Sequence, residues 1–276
     1  VCRTISITLS LAVLAGAIWW FAAGSPRARL YAPPATPLAI PTDPASLARG
    51  RYLAEAVAVC TICHGENLAG KLAFEDDFLG RGYTANLTAG EGGIGGRYTD
   101  ADWVRALRFG VKPDGHGILF MPSDYYNALT DADLAALIAH LKSLPKVDNT
   151  KTALELSLPA RLFIDLGIAG PVLRAATIDM NARPWTKPTN PADYLITLGG
   201  CTFCHGPDLR GGQGPEPNAP GGPNLRARPW SLETFTAALR GGQSPDGHRI
   251  NPKYMPWLGY AHMTDEDVAL IWNRLK

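Results

Sequence analysis

The chain has 276 residues, 46% of them hydrophobic, and a formal net charge of +1, which leaves room for about two domains. Its five cysteines fall into two Cys-x-x-Cys pairs plus Cys2, so none is left over to build a disulfide framework. Nine basic residues against thirteen acidic ones between 43 and 145, and eight of each from 190 onward, form no basic stripe, so nucleic acid is not an expected partner.

Ile5 to Ala23 is nineteen residues without a charge. As a helix it is roughly 28 Å long, about the thickness of one bilayer core. Trp19, Trp20 and Phe21 at its far end suit a membrane interface. The expectation is a retained transmembrane signal anchor over 1–26 rather than a cleaved signal peptide. Residues 27–42 are Pro-rich and read as an extended, fairly stiff spacer.

Two copies of one pattern follow, over 43–145 and 190–276. Asp43-Pro44 and Asn190-Pro191 both read as an N-cap with Pro in the first helical turn. Each helix leads into a Cys-x-x-Cys-His: Cys60, Cys63, His64 and Cys201, Cys204, His205. Further helices start at Thr99 and Ser231 and stop at Gly110 and Gly242. The last helices open with Thr130-x-x-Asp133 and Thr264-x-x-Asp267, a box-like cap. Apolar residues at Leu134, Leu137, Ile138, Leu141 and at Val268, Ile271, Trp272, Leu275 give each one buried face. Trp103 and Phe235 match across the copies and read as core, and His140 and His262, which do not match, read as surface. Glu75-Asp76-Asp77 reads as a solvated loop. Residues 146–189, apolar but broken by Pro and Gly, read as a strap packing on both domains. The whole is expected to be all-α: a transmembrane helix, then two small helical bundles.

Cys-x-x-Cys-His is the signature of c-type haem attachment. Two sulfurs separated by one helical turn reach the two vinyl-derived carbons on one porphyrin edge, and the next residue places an imidazole under the iron. A thioredoxin-like dithiol belongs in a βαβ context, and a structural zinc needs four ligands; neither accounts for the two histidines. Two covalently bound haem c groups are therefore expected. The second axial donors are expected at Met121 and Met255, which stand in matched Met-Pro turns ahead of the last helix. His116 and His248, in matched Pro-Asp-Gly-His turns, are the competitors.

The motifs resemble class I c-type cytochromes, duplicated. Residues 85–122, from "ANLTAGEGG" to "ILFMP", are similar to the cytochrome c domains in cytochrome subunits of periplasmic dehydrogenases. The resemblance implies haem held by Cys60, Cys63, His64, Met121 and by Cys201, Cys204, His205, Met255. It also implies a proline carbonyl that accepts a bond from the proximal histidine. Pro223 in "GGPNL" fits that place for His205, and Ala85 stands there for His64. The expected function is relay of single electrons in a respiratory or photosynthetic chain, without substrate chemistry. The alternatives are a subunit of an alcohol- or aldehyde-type dehydrogenase complex and a dihaem peroxidase, which needs one open iron. The expected setting is a bacterial inner membrane, single-pass, with both haem domains in the periplasm. Expected partners are a membrane oxidoreductase complex or a periplasmic dehydrogenase.

Overall fold

Local capping chemistry starts the helices in the computed structural model, which describes residues 10–11, 13–16, 18–20, 24–168, 172–181, 190–214, 219–227 and 229–276. Asp43 accepts from the Ser46 N–H at 2.9 Å and Pro44 occupies the first turn of α1 (Pro44–Tyr52). One π-helical turn, Leu53–Val57, then leads to α2 (Cys60–His64). A hairpin of β1 (Leu72–Asp76) and β2 (Gly80–Tyr83) follows. Thr99 and Asp102 form a complete capping box on α3 (Asp100–Phe109), which Gly110 ends in the left-handed region at φ 65°. The short α4 (Ser123–Tyr126) precedes α5 (Asp131–Ser143), capped by Thr130. Next come β3 (Leu154–Leu156), α6 (Leu158–Asp165) and a 3₁₀ turn at Arg174–Ala176.

The second half repeats the helical plan. It contains α7 (Pro191–Leu198, capped by Asn190), α8 (Cys201–His205), α9 (Leu232–Gly241), α10 (Trp257–Tyr260) and α11 (Asp265–Leu275). Ser231 and Thr234 make the capping box of α9, and Gly242 ends it at φ 63°. Trp103 and Phe235 are both buried. A single apolar cluster joins Leu53, Leu107 and Leu137 to Leu195, Leu239 and Ile271, so the halves share one core.

The all-α expectation does not hold. β1, β2 and β3 form an antiparallel three-stranded sheet in that order, with Phe74 opposite Gly82, and Arg81 opposite Glu155. Asp76 Oδ1 accepts the Phe78 and Leu79 N–H groups at 2.9 and 2.7 Å, and Gly80 leaves the turn at φ 95°, the chemistry of a three-residue hairpin loop with a left-handed glycine. Glu75-Asp76-Asp77 is thus a strand end and a turn rather than a loop, and Glu75 pairs with Arg81. The transmembrane expectation also fails: among the described residues no helix is long and apolar enough to cross a membrane. Most of the early part of the 1–26 segment lies outside the described residues. The strap packs mainly on the first half, where β3 pairs with β2, the Phe120 N–H donates to the Val172 carbonyl at 2.7 Å, and Leu119 bridges Leu173.

The halves are tied by a crossed pair of tyrosines. Tyr194 on α7 donates to Asp133 Oδ2 at 2.8 Å and accepts from the Thr130 N–H at 3.2 Å, at the start of α5. Reciprocally, Tyr52 on α1 donates to Asp267 Oδ2 at 2.5 Å and accepts from the Thr264 N–H at 3.2 Å, at the start of α11. The first helix of each half therefore caps the last helix of the other. Arg49 adds a two-pronged bond to Asp133 at 2.8 Å to each oxygen.

Candidate haem sites

The two Cys-x-x-Cys-His stretches fold into the same turn. Each is preceded by a left-handed residue, Val59 at φ 43° and Gly200 at φ 63°, and followed by a left-handed-side glycine, Gly65 at φ 81° and Gly206 at φ 79°. A buried leucine with positive φ comes next in both, Leu68 at 57° and Leu209 at 62°. The Gly70 N–H then returns to the His64 carbonyl at 2.8 Å, and the Gly211 N–H to the His205 carbonyl at 2.9 Å. Val59 is a β-branched residue held where glycine is favoured. It packs closely on Gly259 of α10, while Gly200 faces the Tyr125 ring of α4. Each turn therefore rests on the helix that follows the methionine of the other half.

The histidines are oriented by backbone carbonyls. His64 Nδ1 donates to the Ala85 carbonyl at 2.8 Å and His205 Nδ1 to the Pro223 carbonyl at 2.9 Å. Alanine serves as well as proline because the acceptor is the carbonyl. With Nδ1 carrying the proton in such a bond, Nε2 keeps its lone pair for a metal. Burial lowers the pKa of both imidazoles, against the opposing effect of the carbonyl bond, and Lys71 lowers that of His64 further. Burial also pushes the Cys60 and Cys201 thiols up to about 12, away from the thiolate that a redox dithiol uses. Among the described residues no group of three or more His, Cys, Asp or Glu could hold a metal ion by itself.

In the second half a cavity of about 410 Å³ opens beside α8, within the range of roughly 300–1,000 Å³ for small-molecule sites. Cys201, Cys204 and His205 line it together with Met255, and Leu209, Trp230, Phe235 and Leu239 furnish apolar walls. Gly222 runs directly beneath the histidine: a Cβ there falls 2.4 Å from the Cys204 carbonyl oxygen and 2.9 Å from His205 Nδ1. The donor set, the apolar lining and the free imidazole nitrogen fit a covalently held macrocycle. In the first half Met121 packs, half-buried, against the core that contains Cys60, Leu68 and Leu87. The structure thus brings Met255 to the histidine of its half through one cavity, and places Met121, half-buried, against the core that the halves share.

His116 and His248 take different places. The His116 turn is covered by the N-terminal segment: Leu30 bridges His116, and the Tyr31 N–H donates to the Gly115 carbonyl at 2.8 Å. His248 lines the same cavity as Met255. His140, read as a surface residue, is buried with Nε2 lacking a hydrogen-bond partner, whereas His262 is exposed. Sequence reasoning also missed Arg174. It pairs with Asp124 at 3.0 Å and lies over the Tyr125 ring at 5.9 Å and the Phe203 ring at 5.6 Å, spanning from α4 to the second attachment turn.

Comparison with known proteins finds relatives that are cytochrome subunits of dehydrogenases. The cytochrome c subunit of a quinone alcohol dehydrogenase from Gluconacetobacter polyoxogenes is 31% identical over 202 residues, 71% of this chain and 43% of that protein. The fructose dehydrogenase cytochrome subunit of Gluconobacter japonicus is 32% identical over 188 residues, 60% of this chain and 37% of that protein. These relatives support a c-type cytochrome. A nicotinate dehydrogenase subunit from Pseudomonas putida is 32% identical over 213 residues, 72% of this chain and 16% of that protein. The chain thus spans well under half the length of these relatives. No family model matches it.

Proposed function

We propose that the chain is a duplicated, dihaem c-type cytochrome that passes single electrons as the electron-transfer part of a periplasmic dehydrogenase assembly. In this reading residues 43–145 and 190–276 each attach one haem, and 146–189 straps them together. Haem c supplies a one-electron ferric/ferrous couple when bound. The chain's own residues do the rest. Cys60, Cys63, Cys201 and Cys204 anchor the group covalently. The carbonyls of Ala85 and Pro223 hold the His64 and His205 rings in the tautomer that leaves Nε2 free. Met121 and Met255 offer neutral sulfur donors, which raise the potential relative to two imidazoles, and the apolar walls keep water out.

The observation that carries the reading is the repeated turn with its histidine–carbonyl bond, together with a cavity that gathers Cys201, Cys204, His205 and Met255. The similarity to dehydrogenase cytochrome subunits supports the partner class. The test is a redox titration of the purified, haem-loaded chain, followed by mixing with a reduced quinone-dependent dehydrogenase. Two one-electron couples and reduction by the dehydrogenase are expected. Turnover of peroxide with no acceptance of electrons from the dehydrogenase would refute the reading.

A further inference from the structure

The two Pro-Asp-Gly-His turns are identical in these four residues but not in surroundings. His116 Nδ1 lies 3.4 Å from Asp114 Oδ1, and its backbone is bridged to Leu30. His248 Nδ1 lies 2.7 Å from Asp246 Oδ1 and 2.8 Å from Ser244 Oγ, and the Ser244 hydroxyl also bonds Asp246. A carboxylate on Nδ1 draws the imidazole proton there and leaves Nε2 as a lone-pair donor, which is the usual support of a metal-bound histidine. His248 is two-thirds exposed yet lines the cavity that holds Met255, so it stands at the cavity rim. Asp246 and Ser244 lie in the same short turn and travel with it.

We infer that His248, supported by Asp246, is a second distal donor for the iron of the C-terminal site, exchangeable with Met255. The inference rests on the dihaem reading above. Imidazole nitrogen and thioether sulfur differ in softness, so exchange gives the second site two states of different potential. At the first site the N-terminal segment lies along the matching turn through the Leu30–His116 backbone bridge, and the Asp114 carboxylate stands farther from the imidazole, at 3.4 Å.

The test is spectroscopic and uses the whole haem-loaded chain. Mass measurement with peptide mapping first counts the attached haems; fewer than two in the wild type refutes the dihaem reading itself, and a haem missing at Cys201 and Cys204 removes this inference with it, whereas the outcomes below refute the exchange alone. In Met255→Ala the second site is expected to stay six-coordinate and low-spin while losing its sulfur-to-iron charge-transfer band. Met255→Ala with His248→Ala is expected to become high-spin and to return to low-spin on adding imidazole, which shows that the fold persists. Asp246→Asn in the Met255→Ala background is expected to let cyanide bind at about tenfold lower concentration, the usual effect of losing a partner behind a metal ligand. A high-spin second site in Met255→Ala alone, a low-spin one in the double variant without imidazole, or an unchanged cyanide titration in Asp246→Asn overturns the inference.

Discussion

Replacing Tyr194 by Phe tests whether the crossed tyrosines hold the halves together. The substitution keeps the buried ring and removes only the hydroxyl. It deletes the 2.8 Å bond to the Asp133 carboxylate and strips the Thr130 N–H of its 3.2 Å acceptor. A hydrogen bond to a charged group is worth about 1.5–3 kcal/mol, and a buried donor left alone adds to the loss. Because Arg49 still holds Asp133 at 2.8 Å, the carboxylate itself stays paired, and the expected loss is about 2–3 kcal/mol. In a chain of this size that is roughly 5–10 °C in Tm. The partner change Tyr52→Phe acts at the more exposed start of α11 and costs about 1 kcal/mol. Arg49 bonds Asp133 and also lies over the Tyr52 ring at 5.7 Å, so the two sites share a partner and the double variant is expected to depart from the sum by about 0.5 kcal/mol or more. Urea unfolding of the haem-loaded chain measures both. A loss below about 0.5 kcal/mol in Tyr194→Phe would refute the reasoning.

The remaining predictions concern pH and the sites. Burial would raise the Asp133 pKa, but Arg49 and Tyr194 hold its carboxyl below the usual range; its stabilisation is present above the unfolded carboxylate pKa near 4 and is lost as pH falls through the folded value. Asp133→Asn is therefore expected to flatten the acid limb of a stability–pH curve. Burial and Asp133 push the Tyr194 hydroxyl up to about 12, so its contribution is complete below about pH 10 and is lost as pH rises toward 12. Tyr194→Phe should remove that alkaline loss. Gly222→Ala places a Cβ 2.4 Å from the Cys204 carbonyl and is expected to lower haem incorporation at Cys201 and Cys204 while leaving Cys60 and Cys63 loaded, as peptide mass mapping would show. Met121→Ala is expected to give a high-spin, cyanide-binding first site, because the His116 turn is held by Leu30; an unchanged low-spin spectrum would contradict the role of Met121.

Much of this was legible because it is local. Asp43, Thr99, Thr130, Asn190, Ser231 and Thr264 all cap helices, since an N-cap needs only a short polar side chain ahead of an apolar period. The acceptor for His205 was legible in Pro223, and Ala85 followed from its matched position. The hairpin escaped because Glu75, Asp76 and Asp77 look like solvated loop, although Glu75 and Asp76 pair with the nearby β2, and the third strand that completes the sheet beside β2 lies far along the chain. The crossed tyrosines were out of reach for the same reason: Tyr52 and Asp267 share no periodicity and meet only through tertiary packing. His140 was misplaced because the lack of a matching histidine in the second half says nothing about burial. The overlooked signal was Gly50 in α1, where a Cβ would lie 1.9 Å from the Ala136 carbonyl oxygen and 2.8 Å from His140 Cβ. That close approach of α1 to α5 buries the histidine.

The central claim is that one chain carries two haem-attaching turns of the same construction. Intact mass of the chain matured in a host competent for haem c, with peptide mapping, tests it most directly. The account predicts two haems, one bound through Cys60 and Cys63 and one through Cys201 and Cys204, and the loss of one in either Cys→Ala pair. A single haem, or free thiols at either pair in the mature chain, would contradict it.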